Sequence, residues 1–180
     1  YLIPSALYAM NGKSEDNGQV LIATGTKTLQ NQAMTEDVPK LRKLLNIDQE
    51  NLKVSSLVGS KNHFCELLFW EEDRQTNGLE LSQHFGDSYT KLFFEYFFHT
   101  NGKRKTPLTR LDMPYVLKMK MAEFKEMDQD LAVDFRACTG GQCPYKGNCS
   151  YLLGLRNAKD SQLIIGNHAL LFYWPRGVPR

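Results

Sequence analysis

Four cysteines carry the chemistry that can be read from this sequence. Cys138, Cys143 and Cys149 fall within the twelve residues Cys138-Thr139-Gly140-Gly141-Gln142-Cys143-Pro144-Tyr145-Lys146-Gly147-Asn148-Cys149, and Cys65 stands far upstream in Gly59-Ser60-Lys61-Asn62-His63-Phe64-Cys65. Thiolates are soft ligands, and four of them suit zinc or an iron–sulfur cluster. Structural zinc sites commonly pair cysteines as C-x2-C, a short knuckle that presents two sulfurs to one ion. Here the spacings are Cys138-x4-Cys143 and Cys143-x5-Cys149. Wider spacing lets three sulfurs reach three irons of a cubane, with Cys65 taking the fourth. Spacing leans toward a cluster and leaves zinc open. An even cysteine count also allows two disulfides, but with no secretion signal at this length a cytosolic metal site is the better reading.

Other candidate residues are polar or basic. Gly25-Thr26-Lys27-Thr28 resembles the end of a phosphate-binding loop, but Thr26 stands where that loop needs glycine directly before the lysine, and Leu21 stands where it needs the earlier glycine. A nucleotide loop is therefore rejected. Hydroxyls and backbone N–H groups at a strand-to-helix turn still suit an anion, and a nucleic-acid phosphate fits Thr24, Thr26 and Thr28. Plain helix capping by Thr26 explains the same residues. From Asn101 to Arg110 the chain carries Lys103, Arg104, Lys105 and Arg110 and no acid. Such a loop can track a phosphate backbone, or it is a solvated basic face. The aromatic run Tyr89 to Phe98 reads as core rather than a stacking platform. The four histidines show no metal-ligand spacing. No nucleophile elbow, metalloprotease helix or acidic helicase box is present, so the chain by itself is expected to catalyse nothing.

These residues need elements to hold them. The chain has 180 residues, 42% hydrophobic and 11% aromatic, with a formal net charge of +2. That is an ordinary globular composition, and the charge alone does not imply nucleic acid. No apolar run reaches membrane-spanning length, and the first ten residues do not make a good signal peptide. The absence of an initiator methionine suggests a piece of something longer. Residues 1–10 read as a helix. Gln19–Thr24 and Lys53–Val58 read as buried strands bounded by glycine, with one helix opening on Thr26 and another after Pro39 between them. That is a crossover unit of an α/β sheet. From 60 to 137 the pattern is helical, including 65–74, 87–99 and a helix capped by Asp112 whose face carries Leu117, Met121 and Phe124. After Cys149 a helix with Tyr151, Leu155 and Ala158 on one face leads to a strand at 162–165, then a turn or helix from Asn167 and a loop from Trp174.

Taken together the motifs resemble those of the DinG-like branch of the XPD-type iron–sulfur DNA helicases of superfamily 2. Leu21-Ile22-Ala23-Thr24-Gly25-Thr26-Lys27-Thr28-Leu29-Gln30-Asn31-Gln32 is similar to motif Ia, which in the family touches single-stranded DNA. Glu36-Asp37-Val38-Pro39 resembles a Lys-Asp-Leu-Pro stretch, with Glu36 in place of Lys. Gly59 to Cys65 is similar to the Gly-x-x-Asn-Tyr-x-Cys segment that bears the first cluster ligand, and Cys138, Cys143 and Cys149 match the other three ligands in order. Ala158 to Leu171 is similar to the segment before the DEAH box, and Tyr1-Leu2-Ile3-Pro4 to the segment after Walker A. Residues 66–137 match only in length and helical character.

The resemblance implies an α/β fold: part of a RecA-like motor domain at 1–58 and 150–180, with a helical iron–sulfur insertion at 59–149. It implies a 4Fe-4S cluster on Cys65, Cys138, Cys143 and Cys149, and nucleic-acid contacts at Thr24, Thr26, Lys27, Gln30, Lys61, Lys103, Arg104 and Lys105. It further implies a cytoplasmic, monomeric parent that uses ATP and Mg to move 5′→3′ on single-stranded DNA and at duplex junctions, with DNA repair as its setting. Walker A and the DEAH box are placed just outside the chain, so the piece is expected to show no ATPase activity. The rival readings are a zinc-stabilised DNA-binding module and a protein-interaction domain.

Overall fold

A computed structural model describes residues 1–11, 19–75, 88–101, 103–104, 108–168 and 170. The chain divides into two units, Tyr1–Gly59 with Gly154–Arg180, and Ser60–Leu153. The fold is mixed α/β, with a small parallel sheet in the first unit and helices dominating the second.

Among the described residues the first unit is built on three strands, β1 (Val20–Thr24), β2 (Val54–Ser56) and β3 (Leu163–Asn167), in the order β1-β3-β2. Both pairings are parallel, with Val20 and Val54 opposite Leu163. The central strand must be apolar on both faces, and Leu163, Ile164 and Ile165 are fully buried. Alternation sends Leu163 against Ala6, Ala9, Leu41 and Leu52, and Ile165 against Ala33 and Val38, while Ile164 packs on the opposite side with Leu57 and Ala158. Helix α1 (Leu2–Asn11) supplies Ala6 and Ala9, two side chains small enough for close approach. Gly166 continues β3 where space is short: a Cβ there would stand 3.1 Å from Leu170 Cδ1.

Between β1 and β2 the sequence predicts two helices, and the structure joins them. Helix α2 (Lys27–Gln32) passes through a π turn (Ala33–Asp37) into α3 (Val38–Leu45) without leaving helical backbone. Proline has no N–H to bond the carbonyl one turn back, and one wide turn ahead of Pro39 absorbs the mismatch. The Val38 N–H accordingly bonds the Ala33 carbonyl. Helix α3 ends on Asn46 in the left-handed conformation, φ 52°, whose N–H bonds the Arg42 and Lys43 carbonyls.

The second unit contains α4 (Glu66–Gln75), α5 (Ser88–Asn101), α6 (Tyr115–Lys120) and α7 (Ala122–Asp130), and α8 (Ser150–Lys159) begins in it. Its core is aromatic: Phe64, Phe69, Phe94, Phe97, Phe98 and Phe124 with Met113, Met127 and Leu131. Phe94 stacks on Phe124 at 5.3 Å and meets Phe64 edge-on at 5.0 Å, geometries worth about 0.5–1.5 kcal/mol per pair beyond burial. The aromatic run of α5 is thus core on one face, while Tyr89, Leu92 and Tyr96 point outward.

Two sequence expectations are corrected here. Asp112 does not cap the following helix, because its carboxylate accepts from Thr109 N and Oγ1 and closes the preceding turn. The helix expected to carry Leu117, Met121 and Phe124 is two helices, broken at Met121 by extended backbone (φ −119°, ψ 106°), although all three residues still pack against the aromatic core. The expected loop at 174–180, the turn at 11–17 beyond Asn11, and Lys105 lie outside the described residues.

Candidate metal centre and nucleic-acid interface

All four cysteines belong to the second unit, all are half-buried, and none forms a disulfide. Each is positioned by backbone hydrogen bonds. Cys65 follows an antiparallel bridge between Phe64 and Ala132, and its N–H donates to the Leu131 carbonyl at 2.7 Å while Val133 N donates to the His63 carbonyl at 3.0 Å. That pairing holds Cys65 next to the segment that leads into Cys138. Cys138 is set by a turn on Asp134, its N–H 3.0 Å from the Asp134 carbonyl. A 3₁₀ turn (Gly140–Gln142) then delivers Cys143. Gly140 sits at φ 58°, a backbone conformation that favours glycine. Lys146 Nζ donates to the Gly141 carbonyl at 2.9 Å and closes this loop.

Cys65 and Cys149 share a device that the sequence does not announce. Each stands immediately before a helix, α4 and α8, and each sulfur faces backbone N–H groups of the first turn: Leu67 and Leu68 for Cys65, Tyr151 and Leu152 for Cys149. Helix N-termini favour negative charge, so both sulfurs sit where a thiolate is stabilised. The thiols are nevertheless pushed up. For Cys65, burial outweighs the two N–H groups, and charge on Cys143 and Cys138 adds to it. For Cys149, burial again dominates, with Cys138 and Cys65 adding. The Tyr151 phenol is raised by burial and then by Cys138 and Cys149. Charge on neighbouring thiols thus opposes ionisation of Cys65 and Cys149, and gathering thiolates here needs a compensating cation.

The donor set fits a thiolate-ligated group: four free, half-buried thiols in one unit, two of them facing N–H groups at helix starts. Among the described residues, no three of His, Cys, Asp and Glu converge as ligands of a single ion.

The predicted nucleic-acid residues divide by position. At the carboxyl end of β1, Thr26 and Lys27 are exposed, and Thr26 Oγ1 accepts from Leu29 N at 3.2 Å as the cap of α2. Thr24 is buried, and its hydroxyl is directed at the Thr26 and Gly166 carbonyls, 3.1 Å from each. Gln30 is 2% exposed, and its amide nitrogen donates to Ser56 Oγ, the Leu57 carbonyl and the Ile165 carbonyl. In this structure Gln30 is an internal brace between α2, the end of β2 and the middle of β3, not a surface group. In the second unit Lys61, Lys103 and Arg104 are exposed, and Lys103 Nζ shares a hydrogen bond with His99 Nε2 at 3.0 Å.

Sequence reasoning missed the polar clamp behind Cys65. Arg110 donates to Asp128 through Nη2 (2.6 Å) and Nε (3.2 Å) and to the Lys61 carbonyl through Nη1 (2.6 Å), and its guanidinium lies 5.8 Å from the Phe64 ring centre. Lys118 adds a second cation 3.2 Å from Asp128. Nothing periodic links these residues in sequence, so no local signal marks them.

No family model matches the chain. Among curated proteins it is similar to the ATP-dependent DNA helicase YoaA of Haemophilus influenzae, with 24% identity over 172 residues. The similarity takes in 96% of this chain and 23% of the helicase, so the chain spans about a quarter of its relative's length. No helix among the described residues is long and apolar enough to cross a membrane.

Proposed function

We propose that this chain is a portion of an iron–sulfur DNA helicase of the DinG-like, XPD-type branch. In this reading the first unit is part of a motor domain, and the second is an insertion whose Cys65, Cys138, Cys143 and Cys149 hold a 4Fe-4S cluster. The observation that carries the reading is the cysteine arrangement: four free, half-buried thiols in one unit, two of them at helix N-termini, in a chain similar to a helicase over nearly its whole length. The spacings Cys138-x4-Cys143 and Cys143-x5-Cys149, wider than the C-x2-C knuckles of structural zinc sites, suit one sulfur per iron better than four sulfurs on one zinc.

When bound, the cluster supplies a rigid covalent tie and a redox-active centre whose potential depends on hydrogen bonds to its sulfurs. The chain's own contribution is to aim the Leu67, Leu68, Tyr151 and Leu152 N–H groups at two of those sulfurs and to keep the aromatic core against Phe64. Neither a Walker A loop nor a DEAH box occurs in the sequence, so ATP and Mg chemistry belongs to the parent. Thr26 and Lys27 at the carboxyl end of β1, and Lys61, Lys103 and Arg104 in the second unit, are the exposed groups that would meet phosphates of single-stranded DNA.

Fluorescence anisotropy with labelled single strands over a salt series tests the DNA reading. Binding should weaken log-linearly with salt, and Lys27→Ala should lower the slope by about 0.7, the loss of one phosphate contact. No binding at low salt, or binding indifferent to salt, would contradict it.

A further inference from the structure

We propose that a buried hydrogen bond between His63 and Ser150 is a latch that holds two cysteine ligands at working separation. The inference rests on the cluster reading above. His63 is two residues before Cys65 and Ser150 directly follows Cys149. The two are 87 residues apart in sequence, yet His63 Nδ1 and Ser150 Oγ are 2.9 Å apart. Both are buried, 3% and 5% exposed.

The latch has firm ground at each end. His63 is fixed through its own backbone: its N–H donates to the Ser60 carbonyl at 2.9 Å and its carbonyl accepts from Val133 N at 3.0 Å. Ser150 opens α8, and the Tyr151 ring lies 5.6 Å from the imidazole. The imidazole and hydroxyl therefore join the strand-like segment ending in Cys65 to the helix start following Cys149. A buried imidazole and hydroxyl are costly without partners, and a hydrogen bond is directional where apolar packing is not. It specifies one separation of the segments, whereas a leucine and an alanine of similar bulk would tolerate several. Groups behind metal ligands typically change metal affinity by about 10–100-fold through this kind of positioning. His63 and Ser150 are positioning residues and not ligands.

The test uses the full chain purified anaerobically as wild type, Ser150→Ala, Ser150→Thr, His63→Leu and the double variant His63→Leu/Ser150→Ala. Bound iron, the rate of its loss to an iron chelator, and the far-UV circular dichroism are measured for each. Ser150→Ala and His63→Leu should each speed iron loss by about tenfold. The double variant should be no faster than the faster single, because both remove the same bond. Ser150→Thr keeps the hydroxyl and should retain the wild-type rate. Wild-type rates in both singles, additive effects in the double variant, or a Ser150→Thr that loses iron as fast as Ser150→Ala would overturn the latch while leaving the cluster in place. A wild-type protein that carries no iron would overturn the cluster reading and the latch with it.

Discussion

On the proposed cluster reading, Cys149→Ser is expected to lose iron during purification that the wild-type chain retains. The Cys149 sulfur is half-buried, faces the Tyr151 and Leu152 N–H groups at the start of α8, and lies within electrostatic reach of Cys138 and Cys65. A serine hydroxyl is a hard, weakly acidic group that does not replace a soft thiolate on iron. The loss should exceed the roughly 10–100-fold cost of disturbing a group behind a ligand. Binding free energy of a structural metal site is also folding free energy, so the variant should melt like the metal-free wild type. Iron content by colorimetric assay and thermal melting check both points. Wild-type iron content in Cys149→Ser would remove this cysteine from the ligand set.

The second large effect is expected at Asp128, at the centre of the clamp formed with Arg110 and Lys118. Asp128 is 7% exposed. Asparagine keeps the shape but leaves two cations facing a neutral partner; because Arg110 and Lys118 are partly exposed, the loss should fall below the about 3–5 kcal/mol typical of breaking a fully buried pair. The pH dependence has a definite sign. Burial pushes the Asp128 carboxyl up, but hydrogen bonds and charge from Arg110, then Lys118, outweigh it and hold the group below its ordinary value. A depressed folded-state pKa contributes stability that is present above the unfolded value of about 3.9 and is lost as pH falls through the folded value. Denaturant unfolding at pH 7, 5 and 3 should therefore show a wide gap between wild type and Asp128→Asn at pH 7 and 5 and a narrower one at pH 3. An undiminished gap at pH 3 would contradict the electrostatic origin. Because Arg110 also holds the Lys61 carbonyl and covers Phe64, the clamp stiffens the approach to Cys65.

The elements legible in the sequence are those whose signal is local. The run Leu163-Ile164-Ile165 between Gln162 and Gly166 has the composition of a strand covered on both faces, and it is the centre of the sheet. Glycine boundaries marked β1 in the same way. Local pattern is weaker where a residue's partner is distant. The resemblance to motif Ia assigns Gln30 a nucleic-acid contact, while the fold surrounds its amide with three acceptors from β2, the residue after it and β3. The stretch from Tyr89 to Phe98 carries six aromatic residues, and only packing separates buried Phe94 from outward Tyr89 and Tyr96. The π turn before Pro39 needs the helix to be continuous before its cause is visible. At the candidate site the cysteines and their order were legible, but the helix starts facing Cys65 and Cys149 were not, because a cysteine before a helix carries none of the usual capping signature. The pairing of His63 with Ser150 is likewise a product of the fold alone.

The measurement that bears most directly on the proposed function is metal and sulfide analysis of the anaerobically purified chain, read with its visible spectrum. A 4Fe-4S cluster on Cys65, Cys138, Cys143 and Cys149 predicts about four irons and about four acid-labile sulfides per chain, with broad absorption near about 400 nm. Stoichiometric zinc with no labile sulfide would contradict it.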